Sequence, residues 1–195
     1  GAALMRLWSV TWSYERIADY GARLIASAVQ PAQDSRGNEA GLSVLALCVT
    51  LFGLLSHVPA QVRSLLPASF DGEGPFSRVR RFLRASDEQW AELAGDADPW
   101  VAWAATRCLA AQQEDDGDPQ ASLETIEALL GRLHGHDLAG IHLLELHLHR
   151  LQVLMSLGRY SQVVDACSRA QVLLERVLPS WGEFFRTTLH MEGAY

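Results

Sequence analysis

The sequence predicts an all-α protein made of antiparallel helical hairpins stacked as a tetratricopeptide-like superhelix. Three observations lead there. Apolar residues recur at helical spacing almost throughout, as in Leu123, Ile126, Leu130 and Leu133, or Leu144, Leu148, Leu151 and Met155. No run of alternating Val, Ile or Thr occurs, and no Asn-Gly or Asp-Gly pair lies between two such runs. The breaks between periodic stretches are mostly short, which makes successive helices antiparallel neighbours.

The elements follow in order. Helices are expected at 4–13 and 15–29, with Trp8 and Trp12 one turn apart on one face. Pro31 and the polar run QDSRGN close this first pair. The next helix, 38–56, contains the apolar stretch LSVLALCVTLFGLL, residues 42–55. That stretch is shorter than the ~20 residues needed to cross a bilayer, so a helix buried on most sides is expected, with no membrane partner. Pro59 and Pro67 frame a short helix at 59–66, and ASFDGEGP, residues 68–75, is the one long loop. RVRRFLR, residues 78–84, places four arginines on a short solvated helix at 76–84, and a further helix covers 87–94. Asp98 caps a helix at 99–113 with Pro99 in its first position, and Trp100 and Trp103 share a face. Asp118 and Pro119 start the helix 119–134 in the same way. A turn region at 135–140 leads to a helix at 139–157, which Gly158 ends, and helices at 160–177 and 180–190 complete the chain. Residues 1–195 read as one domain, with sub-groups 1–67 and 76–195 joined by the loop 68–75. The chain is already in helical pattern at Leu4 and has no helix stop at MEGAY, as expected of a piece of a longer protein.

Two helices cross closely only where small residues let their backbones meet. A search at the tetratricopeptide period, about 34 residues, finds three partial matches to its pattern, two of them with small residues at seven-residue spacing. Gly158-Arg159-Tyr160 is followed by Ala170, with Val163 and Cys167 where that repeat prefers alanine and an aromatic. Ala121 pairs with Ala128 within 118–133, and Gly21 with Ala28 within 20–29. The stretch 38–67 fits less well.

On these residues a family resemblance rests. DADPWVAWAATRCLAAQQEDDGDPQASLETIEALL, residues 96–130, resembles the helical-repeat region of actinobacterial regulators of the AfsR/SARP type. RLWSVTWSYERIADYGARLIASAV resembles the hairpin that those regulators, and related LuxR-type ones, carry after their nucleotide-binding core. The resemblance covers about residues 4–30 and 96–178. It implies an interaction or effector-sensing arm of a STAND-type transcriptional regulator. The arm's partners would be the parent protein's own ATPase and DNA-binding domains or another protein, with a peptide or small molecule as effector. The chain has no GxxxxGK[ST] loop and no basic recognition helix of its own.

Composition narrows the function further. A net charge of −7 offers phosphate no basic stripe, so direct nucleic-acid binding is not expected. Cys48, Cys108 and Cys167 form no CxxC and sit among apolar neighbours, which reads as core thiols in a reducing cytoplasm. No GxSxG elbow, no cysteine in an electropositive setting and no cofactor loop occurs. Five of the seven histidines fall in residues 131–150, and His142, Glu145 and His149 share one helical face. Because Gln152 and Ser156 continue that stripe opposite the leucines, the histidines are expected on the wet side of an amphipathic helix.

The first helix of each hairpin would line a concave groove, and the repeat register assigns it Arg6, Tyr14, Trp103, Thr106, Gln113, His142, Glu145, His149, Gln152 and Ser156. A non-catalytic protein-interaction or effector-sensing segment is therefore the expectation, with no metal and no cofactor. Two readings compete with it: a metal-dependent helical enzyme on the His142, Glu145 and His149 face, and a self-associating scaffold that forms a homo-oligomer.

Overall fold

The computed structural model describes residues 14–34, 38–55, 58–65, 76–133 and 140–177. Among the described residues the structure is helical, without a strand. Helices are α1 (Tyr14–Asp34), α2 (Asn38–Leu55), α3 (Ala60–Leu65), α4 (Ser77–Arg84), α5 (Asp87–Ala94), α6 (Pro99–Asp115), α7 (Pro119–Arg132), α8 (Gly140–Ser156) and α9 (Tyr160–Val177). The helices expected at 4–13 and 180–190, the loop 68–75, and Trp8, Trp12 and Trp181 lie outside the described residues. The chain forms two compact units, Gly1–Cys108 and Leu109–Tyr195. The division falls inside α6.

In the first unit, α1 buries Ile17, Gly21, Ile25 and Val29, one residue per turn, and packs on α2. A Cβ at Gly21 would lie 2.5 Å from Leu51 Cδ2, and Leu51 is fully buried, so the hydrogen side chain is what admits α2 so closely. The helix does not stop at Pro31 but runs on to Asp34. Proline removes one backbone donor, a loss most easily absorbed near a helix end. Helix α2 buries Val44, Leu45, Cys48, Val49 and Leu51, which fits the expected helix covered on most sides. No described helix is long and apolar enough to cross a membrane.

Helix α4 packs on α2. Phe82 of α4 meets Phe52 of α2 edge-on at 6.3 Å, and Trp90 of α5 meets both, at 5.2 and 5.1 Å. The arginine-rich helix turns Val79 and Phe82 inward. Two of its arginines clasp the turn before α6: Arg78 Nε reaches Asp98 Oδ2 at 2.6 Å and Arg81 pairs with Asp96. Asp98 meanwhile accepts from the Trp100 backbone N–H at 3.0 Å, so the expected cap also anchors α4.

The second unit is organised by two matching turns. After α6, Gly117 takes φ 81°; after α8, Gly158 takes φ 69°. At both, the glycine N–H bonds a carbonyl three residues back and the next N–H bonds one five back, from Asp118 to Gln113 and from Arg159 to Leu154. Paired closures of this kind satisfy the last carbonyls of a helix and need a left-handed residue. From Gly117 to Gly158 is a step of 41 residues. The same step carries α6, Pro99–Asp115, end for end onto α8, Gly140–Ser156, and the start of α7 at Pro119 onto the start of α9 at Tyr160. This step is longer than the tetratricopeptide period of about 34 residues.

The step also corrects a register. Ala128 is exposed; the buried seven-residue pair on α7 is Ser122 and Leu129, which corresponds to Val163 and Ala170 on α9. Helix α8 packs on both α7 and α9, and its Leu144, Leu151, Val153 and Leu154 share one core with Leu123 and Ile126 on one side and Val163, Ala166 and Ala170 on the other.

Two kinds of glycine should therefore respond differently to alanine. At Gly158 a Cβ meets nothing within 4 Å, so Gly158→Ala costs only the left-handed backbone, about 1–2 kcal/mol. At Gly21 alanine gains about 1 kcal/mol of helix propensity but overpacks Leu51 for about 1–3 kcal/mol, a net loss of about 1 kcal/mol. Urea unfolding should show that Leu51→Ala offsets part of the Gly21→Ala loss and simply adds to that of Gly158→Ala; additivity in both cycles would refute the crowding account.

Candidate functional site

The densest group of polar side chains in the second unit lies where α6, α7 and α8 meet. The turn at 116–118 sends α7 back beside the end of α6, which brings Ser122 and Thr125 opposite Glu114 and Gln113. Ser122 Oγ donates to Glu114 Oε1 at 3.1 Å, and Thr125 Oγ1 donates to Gln113 Oε1 at 3.0 Å. From α8, His149 Nε2 reaches the same Glu114 oxygen. Ser122 is fully buried, His149 is 7% exposed, and the Glu114 side chain keeps 30% of its surface. An ionised carboxylate only accepts, so Nε2 carries the proton in this pair.

Serine, histidine and a carboxylate invite comparison with a nucleophilic triad, but the wiring is different. A serine nucleophile must give its proton to the imidazole, with the carboxylate behind the ring. Here the carboxylate stands in the middle and takes both donors, while the serine has no open side. The group acts as a brace across three helices.

The groove residues drawn from the sequence fall in two units, Arg6 to Thr106 in the first and Gln113 to Ser156 in the second. Arg6 is outside the described residues, and of Tyr14 only the backbone, at the start of α1, is described. Trp103 and Thr106, in the first unit, are 1% and 0% exposed, so they line no open surface there; Trp103 stacks edge-on with half-buried Trp100 at 6.1 Å. Gln113 faces Thr125. His142 Nδ1 lies 3.2 Å from Glu145 Oε2 on the same helix, both half-buried. His149 is not on a wet face, because α6 supplies Glu114 to cover it. Gln152 and Ser156 are exposed, and the Ser156 hydroxyl donates to the Val153 carbonyl at 2.8 Å. Among the described residues no three His, Cys, Asp or Glu side chains stand close enough to hold a metal ion.

Sequence reasoning missed Glu114, Ser122 and Thr125. Glu114 belongs to EDD, which reads as a solvated turn, and Ser122 sits between two residues that attract more notice. The signal that could have found them is the 41-residue step, which puts Ser122 on the core position of Val163.

Burial quenches two of the thiols and one further imidazole. Burial pushes the Cys48 thiol up to about 12 and raises that of Cys108 well above its usual range, so neither forms useful thiolate near neutral pH. The His147 Nδ1 is buried without a hydrogen-bond partner among the described residues. Burial, then the charges of Arg150 and Arg169, hold this imidazole below its usual pKa of 6.5 and keep it neutral.

No protein-family model, no curated protein and no solved structure matches the chain.

Two measurements check this account. Glu114→Ala leaves the buried Ser122 hydroxyl and the His149 N–H without an acceptor. With Glu114 partly solvated, the expected loss is about 2 kcal/mol by chemical denaturation. Glu114→Gln, which keeps an acceptor oxygen, should lose about half as much. Equal losses would show that the carboxylate oxygen bridges nothing of consequence.

For His147 the folded state binds its proton less tightly than the unfolded chain, so stability rises with pH through this group. Its contribution is complete above about pH 6.5 and is lost as pH falls towards the lowered folded value. His147→Leu should flatten the decline in stability below that pH relative to the parent; an unchanged slope would mean the ring is solvated.

Proposed function

We propose that this chain is a non-catalytic helical-repeat module, the interaction or effector-sensing arm of a cytoplasmic transcriptional regulator of the AfsR/SARP or LuxR kind. The observation that carries the reading is the 41-residue step, at which a helix, a left-handed turn and a second helix all recur. Tandem hairpins of this kind bury a continuous core between neighbours and present a long surface made from many helices. Stacking in the tetratricopeptide manner, with a longer period, is the architecture we assign to the hairpins. The use of Ser122, His149 and both buried thiols as packing elements supports a role in binding by shape. The resemblance of residues 4–30 and 96–178 to the regulators' helical region supplies the setting. In that setting the arm contacts the parent's ATPase core, and an effector matters only if it binds one arrangement of the arm more tightly than the other.

The test is a binding titration of the purified chain against the polypeptide encoded immediately upstream in the same reading frame. Saturable association at about micromolar Kd is expected. Absence of binding, or an upstream sequence without a phosphate-binding GxxxxGK[ST] loop, would overturn the regulator reading.

A further inference from the structure

We draw no further inference here: the strongest candidate, the basic cluster that His147 and Arg150 of α8 form with Arg169 of α9, rests on the lowered proton affinity of His147 alone, since both arginines already pair with carboxylates, Glu127 and Asp165.

Discussion

The second unit depends on the chain reversing within three residues, twice, at a residue that can adopt a left-handed backbone. Gly117 and Gly158 supply that conformation, and the reversal fixes the phase of everything after it. With so short a connection, α7 cannot slide or rotate freely against α6. Ser122, five residues past Gly117, meets Glu114, three residues before it, and Thr125 meets Gln113. The cost of a left-handed residue with a side chain, about 1–2 kcal/mol, is small beside the core. Glycine's larger contribution here is to register, because a longer loop would relax the one geometry in which these polar pairs coincide.

Glu114 then holds that geometry. A carboxylate that accepts from a fully buried hydroxyl and from an imidazole 7% exposed ties α6, α7 and α8 at one oxygen. Apolar packing alone tolerates small rotations of a helix, whereas a buried donor left without its acceptor costs about 1–3 kcal/mol, so the brace selects one rotation among several that would bury similar area. The same wiring removes these residues from chemistry. A serine whose proton is committed to a carboxylate, inside a core, is no nucleophile.

Much of this was legible in the residues. Asp98-Pro99 and Asp118-Pro119 start helices because a side-chain acceptor and a preset φ act within a single turn. Gly158 ends one for an equally local reason. The arginines of α4 pointed to a polar face, though not to Asp96 and Asp98 as its partners. Where reasoning failed, the deciding contact was distant in sequence. Pro31 reads as a stop by its own chemistry, yet α1 continues through it. Ala121 and Ala128 look like the small crossing residues, but the turn sets α7 in a phase that buries Ser122 and Leu129 instead. Of the candidate groove residues, Trp103 and Thr106 are interior, and no rule of helix periodicity reveals that.

His149 was misjudged from the sequence for one reason. A helix in a hairpin stack has two neighbours that matter, the one it is joined to and another further along the chain. Periodicity reports how many apolar faces a helix has, and a short turn reports which face meets the joined neighbour. Neither reports what the third helix brings. On α8 that helix is α6, whose Glu114 makes a polar face an interior one, so His149 is buried despite its surroundings in sequence. On α9 the apolar Val164 lies open among the described elements, although the matching Leu123 is enclosed. A residue's environment in such a fold is therefore set by its place in the repeat as much as by its own helix. The 41-residue step, which relates the two hairpins residue by residue, is the means by which that place can be read.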